Sequence, residues 1–98
     1  MEIRWDVSKN DKLREERGVS FERMLQEGTR LFVMMHPVRS HQRLMVYLFQ
    51  GYIWIIPCVM SEKGMFLKTM FPSRSFTKKW KRGEFHEKRS INQGRKED

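Results

Sequence analysis

Residues 43–71 read RLMVYLFQGYIWIIPCVMSEKGMFLKTMF, and this stretch decides the fold. Three runs within it, 43–49, 52–60 and 65–71, are rich in β-branched and aromatic residues, the types that suit a pleated, half-buried surface. Gln50-Gly51 and the SEKG at 61–64 separate the runs, and both are short enough to be hairpin connections. Three consecutive strands on short turns make an antiparallel meander. The middle run is apolar on both faces, because Tyr52, Trp54, Ile56 and Cys58 alternate with Ile53, Ile55 and Val59. One face must pack on helices, and the other takes a partner or forms a binding surface. Pro57 has no N–H to donate, so a bulge or an unpaired side is expected there.

Toward the N-terminus, LFVMM at 31–35 reads as a buried strand that His36-Pro37 breaks. A polar loop, PVRSHQ, follows at 37–42. Upstream, Phe21, Met24 and Leu25 fall at i, i+3, i+4 after a capping Ser20, and Gly28 ends that short helix. Val19 is placed to staple against Met24. Residues 8–17 are highly charged, with Lys12 and Glu16 at supporting spacing and Leu13 nearly the sole apolar residue. They predict a helix lying mostly in solvent, with Gly18 as its stop. Ile3 and Trp5 alternate in EIRWD, residues 2–6, which reads as a strand near a sheet edge. Toward the C-terminus, Pro72-Ser73 initiates a last helix through about Arg82, and Gly83 marks its end. The fold class is therefore α+β: a small antiparallel meander, N-terminal helices packed on one face, and a short basic C-terminal helix. Residues 1–82 form one domain, and 83–98 form a charged tail with the composition of a flexible segment.

Ninety-eight residues leave room for one core only. No run approaches the ~20 apolar residues of a membrane span, so no membrane partner is expected. The opening MEIRWD lacks the apolar stretch of a signal peptide. A single cysteine, Cys58, excludes an intrachain disulfide and a cysteine-based zinc cage. Together these point to a cytoplasmic chain. The net charge is +8, and its distribution matters more than its size. PSRSFTKKWKR at 72–82 carries Arg74, Lys78, Lys79, Lys81 and Arg82 with no acid. A concentrated cationic block attracts a polyanion, chiefly nucleic acid, or an acidic protein. The plain structural alternative is a solvated basic helix end.

Two blocks carry a resemblance. WDVSKNDKLREERGVSFERML at 5–25 and GMFLKTMFPSRSFTKKW at 64–80 together resemble the BrnT-like family of toxins, the ribonuclease halves of bacterial type II toxin–antitoxin modules. The family pattern opens with a strand and W-[DN]-x-x-K, runs through a basic helix into G-[VI]-S-F-E, and closes with an apolar strand and S-x-R-x-A-T-[KR]-[KR]. The closing motif falls on residues 72–79, with Pro72 at its Ser position and then Ser73, Arg74, Ser75, Phe76, Thr77, Lys78 and Lys79. Many members carry His where this chain has Arg17, and a small residue where it has Phe76; residues 29–62 match in hydrophobic pattern alone. The resemblance implies a RelE-like domain with helices on one side of the sheet and RNA approaching the other. It also implies a cognate antitoxin, usually of the ribbon-helix-helix class, with operator DNA bound only through the toxin–antitoxin complex.

Metal-independent RNA cleavage needs a base for the 2′-hydroxyl, cations for the crowded phosphate and an acid for the leaving oxygen. Arg74 is the candidate for phosphate stabilisation, since it follows the last strand directly and its fork fits phosphate oxygens. Lys78 at i+4 shares its helix face, and Thr77 at i+3 is placed to orient phosphate or ribose. The competing reading pairs Arg74 with Glu22 or Asp6. His36 and His41 flank the loop and titrate near neutrality, which makes them acid–base candidates; His86 lies in the tail. Lys68, Lys79, Trp80, Lys81, Arg39 and Arg43 are the RNA-contact candidates. Lys68 shares a strand face with Phe66 and Met70 and either points into the groove or snorkels to the sheet rim. Trp80 either stacks on a base or, four residues from Phe76, packs in the core. No metal-ligand spacing and no glycine-rich phosphate loop is present, so no metal or cofactor is expected. The leading reading is a metal-independent toxin endoribonuclease that arrests growth. The alternative is a non-enzymatic basic module that binds a partner protein and acts in a DNA-binding repressor complex. A direct DNA binder would need a basic, exposed second helix in a helix-turn-helix, which the N-terminal helix pair lacks.

Overall fold

The computed structural model describes residues 2–85. The chain runs β1 (Glu2–Trp5), α1 (Val7–Arg17), α2 (Phe21–Glu27), β2 (Thr29–Met35), β3 (Gln42–Phe49), β4 (Tyr52–Ser61), β5 (Gly64–Leu67), β6 (Phe71–Pro72) and α3 (Arg74–Lys81). The described residues form a small α+β domain with three helices and one mixed, six-stranded sheet.

The meander is present. Neighbouring strands follow the order β1-β5-β4-β3-β2, and β2, β3, β4 and β5 pair antiparallel in succession. Gln50 and Gly51 both take positive φ (51° and 78°) at the β3–β4 turn, the conformation that matches a two-residue connection to the twist of its strands. The sheet is not purely antiparallel, however. β1 lies at the edge, as expected, but pairs parallel to β5, with Ile3 opposite Met65 and Trp5 opposite Leu67. No hairpin turn joins β1 to its neighbour, so no local turn chemistry dictates its direction. Gly64 makes the approach possible, because a Cβ there would overlap the Glu2 backbone.

The run 65–71 is two strands, not one. β5 stops at Leu67, and the chain returns as β6 to pair with Trp54 and Ile55. Pro57 explains the break. The Pro57 carbonyl accepts from the Lys68 N–H at 2.9 Å, so the β5 side of β4 is where Pro57 has no donor to offer. The ladder lapses there, as the expected unpaired side requires. The break also resets the alternation: Met70 is fully buried with Met65 and Leu67 in the main core, whereas Phe66 is 37% exposed. The expected grouping of Lys68, Phe66 and Met70 on one face therefore fails for Met70.

Two cores flank the sheet. On one face Tyr47, Phe49, Trp54, Ile56 and Cys58 pack with Leu13, Val19, Phe21 and Met24 from α1 and α2. α1 turns out of helix at Gly18, whose φ of 77° is the left-handed cap. Asn10, buried in α1, locks the two helices together: its Oδ1 accepts from the Phe21 N–H at 2.7 Å and its Nδ2 donates to Glu22 at 2.8 Å. On the other face Val46, Ile53 and Ile55 form a second cluster against Phe76 and Trp80 of α3. The face that the resemblance left open to RNA is thus partly covered by the basic helix itself. Phe85 stacks on Phe32 and Phe76, each at 5.3 Å between centroids, so packed structure continues past the expected boundary at residue 82. The rest of that tail, with His86, lies outside the described residues.

β2 differs most from its reading as a buried strand. It is the opposite edge of the sheet, and Val33, Met34 and Met35 are exposed. Edge position, which a continuous apolar run does not encode, accounts for the difference.

Candidate nucleic-acid interface

α3 is the element that gathers charge. Ser73 caps it, its hydroxyl accepting from the Phe76 N–H at 3.2 Å. Phe76, Thr77 and Trp80 face the sheet, while Arg74, Lys78, Lys79, Lys81 and Arg82 are exposed. Arg74, Lys78, Lys81 and Arg82 fall at i, i+4, i+7 and i+8 and so line one stripe. An eight-residue helix is about 12 Å long. Arg82 pairs with Glu84 at 2.8 Å, and the Lys79 ammonium lies 5.7 Å from the Phe76 ring centroid. Among the described residues Arg74 and Lys78 have no ionic partner. The pairing of Arg74 with Glu22 or Asp6 is not formed: Glu22 is taken by Asn10 and Arg14, and Asp6 caps Ser8. No acid stands in the first turn of α3. Arg74 therefore sits at the positive end of a helix dipole, locally unfavourable until an anion arrives.

Thr77 is held elsewhere. It is 4% exposed; its hydroxyl donates to the Ser73 carbonyl at 2.6 Å and accepts from the Ile53 N–H at 2.9 Å. Both sides of the hydroxyl are occupied and no phosphate reaches it. Thr77 pins α3 to β4, and with the Ser73 N–H donating to the Ile53 carbonyl at 2.8 Å it fixes where Arg74 and Lys78 project. Trp80 is half-buried against the second core.

The histidine loop lies at the other end of the sheet. Gln42 pairs with Val59, whereas α3 is tied to Ile53. Six residues of strand separate these anchor points, about 20 Å. The His36 Nδ1 accepts from the Val38 and Arg39 N–H groups at 3.0 and 3.1 Å, so this imidazole shapes the loop. His41 and Arg39 are exposed there. The Arg43 guanidinium turns back on the Gln42 carbonyl at 3.4 Å. Lys68 is exposed just past β5, and alternation from Leu67 carries it to the Phe66 side. The structure therefore brings Arg74, Lys78, Lys79 and Lys81 together and leaves His36, His41, Arg39 and Arg43 as a separate group.

One group was not anticipated from the sequence. A half-open groove of about 200 Å³ is lined by Arg17, Arg23, Phe49, Gln50, Tyr52 and Trp54 among others. The one sequence signal touching it is Arg17 itself, the point of departure from the family pattern. No family model, no curated protein and no solved structure matches this chain.

Proposed function

We propose that this chain is the toxin of a type II toxin–antitoxin module, an endoribonuclease that cleaves RNA without a metal and arrests growth. The observation that supports it is the pair of exposed cations, Arg74 and Lys78, without ionic partners among the described residues and held on a helix pinned to the sheet. The reaction class suits them. The 2′-oxygen attacks the adjacent phosphorus as its proton passes to water; the bond to the 5′-oxygen of the next nucleotide breaks, and that oxygen takes a proton from water. Negative charge concentrates on the phosphoryl oxygens, where a guanidinium and an ammonium on a fixed scaffold stabilise it. His36 and His41 lie beyond the ~3 Å reach of proton transfer to a phosphate held at α3. Catalysis at this site relies on charge stabilisation rather than on a histidine pair. A ribbon-helix-helix antitoxin is the proposed partner, with operator DNA engaged through the complex.

The test is purified chain with RNA and a chelator. Cleavage is expected, and both cleavage and growth arrest should be lost in the Arg74→Ala/Lys78→Ala double variant. Unchanged cleavage in that variant overturns the assignment. The second reading, a non-enzymatic interaction module, draws on the separation of the histidines from α3 and on the exposed apolar edge at Val33, Met34 and Met35. Absence of both cleavage and growth inhibition, with partner binding intact, would select it.

A further inference from the structure

Trp54 and Ile53 are adjacent on β4 and face opposite sides of the sheet. Ile53 carries α3 through the Thr77 hydrogen bond. Trp54 belongs to the groove on the other side, where the α1–α2 turn meets the β3–β4 hairpin. The groove and the basic helix therefore share one end of the sheet. Pro72, the strand partner of Trp54, is two residues before Arg74.

The groove has an unusual lining for a core margin. Phe49 and Trp54 meet edge to face, 6.4 Å between centroids at 85°. The Arg23 guanidinium lies 5.3 Å from the Phe49 ring centroid, with its charge shared by Glu27 at 3.0 Å. Tyr52 is half-buried beside them, and Arg17 at the end of α1 is exposed, with no ionic partner among the described residues. Gly18 faces open space there, since nothing lies within 4 Å of where its Cβ would be. Phe49 and Trp54 are buried and form the floor, so the flat surfaces left to a planar heterocycle are the half-buried Tyr52 ring and the Arg23 guanidinium, and a free guanidinium at the rim suits a phosphate. A volume of about 200 Å³ falls below the ~300–1,000 Å³ of sites that enclose drug-sized ligands. It suits one ring, not a whole cofactor.

We propose that this groove is a nucleotide-binding subsite: it takes one unstacked base of an RNA strand against Tyr52 and the Arg23 guanidinium, with Arg17 on the attached phosphate. The ligand class rests on the proposed ribonuclease function. An RNA chain gripped at Arg74 would turn around the β3–β4 hairpin and seat a base several nucleotides along on the far face.

The experiment uses the full chain and the four nucleoside monophosphates, with a nucleoside and inorganic phosphate as separate arms, followed by amide chemical shifts. At least one monophosphate should shift the amides of Gly18, Gln50 and Tyr52 and bind more tightly than either its nucleoside or phosphate alone. Arg17→Gln should bring its affinity down to that of the nucleoside. Tyr52→Leu, which keeps an apolar body but no ring, should weaken it about fivefold, as loss of the weakest measured base stacking would. Arg74→Ala/Lys78→Ala should weaken RNA while the monophosphate shifts at Gly18, Gln50 and Tyr52 persist. Should RNA fail to bind at α3, the ribonuclease reading falls while the monophosphate shifts stand. The subsite is overturned if no monophosphate moves those amides, if phosphate alone binds equally well, or if folded Arg17→Gln and Tyr52→Leu bind like wild type.

Discussion

Replacing Thr77 by Val separates the two roles a threonine in this motif can have. The side chains are nearly the same size, so the cavity contribution is small, but the hydroxyl is lost. The Ile53 N–H, now bonded at 2.9 Å, is left buried without an acceptor, which costs about 1–3 kcal/mol. Loss of the 2.6 Å bond to the Ser73 carbonyl adds about 1 kcal/mol. The total is about 2–4 kcal/mol, a large share of the ~5–15 kcal/mol that holds a domain folded. For a chain of this size it corresponds to a fall in Tm of roughly 10–20 °C. Thr77→Ser keeps both hydrogen bonds and should lose only about 1 kcal/mol for the missing methyl. Denaturant titrations followed by circular dichroism read the stability, and RNA binding is measured where every variant is folded. Thr77→Val should be destabilised and should bind RNA nearly as wild type does once folded. A variant of undiminished stability that no longer acts on RNA would show that the hydroxyl touches substrate, and the pinning role of Thr77 would be wrong.

Three further outcomes follow from the same geometry. Gly64→Ala forces a Cβ against the Glu2 backbone at a φ of 136° and should detach β1, destabilising the domain by about 2 kcal/mol or more, with amide exchange at Met65 and Leu67 accelerating first. The Glu22 carboxyl is held below the usual glutamate range, chiefly by the Asn10 amide, with the Glu22 backbone and Arg14 adding to it. Since the folded pKa lies under the unfolded one, its contribution is present above about pH 4.5 and lost as pH falls through the folded value; the denaturation midpoint should drop on acidification, and drop less in Glu22→Gln. Burial pushes the Cys58 thiol up, and it is fully shielded, so iodoacetamide at neutral pH should alkylate it only after denaturant opens the core.

Much of this architecture is written locally. The β3–β4 hairpin follows from Gln50-Gly51 between two alternating runs, and the caps Ser20, Gly18 and Ser73 mark their helices by residue type and position alone. What escaped is non-local. The parallel pairing of β1 with β5 is fixed by the close approach at Gly64, and a glycine between two turn residues looks the same whether or not a strand lies against it. The exposure of Val33 and Met35 depends on β2 being an edge, which no hydrophobic run reveals. The interface shows the same division. The basic stripe was legible because five cations in eleven residues need no partner to be noticed. The inward turn of Thr77 was not, because an i+3 spacing places a residue on or beside a face without saying whether the sheet or solvent lies beyond it. The groove at Arg17 joins residues 17–23 to residues 49–54, and only the fold brings them together.

The salt dependence of RNA binding tests the electrostatic grip of α3 most directly. Each cation that neutralises a phosphate on a single strand contributes about 0.7 to the slope of log affinity against log salt concentration. Wild-type chain and Arg74→Ala/Lys78→Ala, compared on one short single-stranded RNA across a range of salt, should differ by about 1.4 in that slope, with weaker binding in the variant and no loss of Tm. Identical slopes with identical affinities would mean that the phosphates lie elsewhere, and the role assigned to this helix would be contradicted.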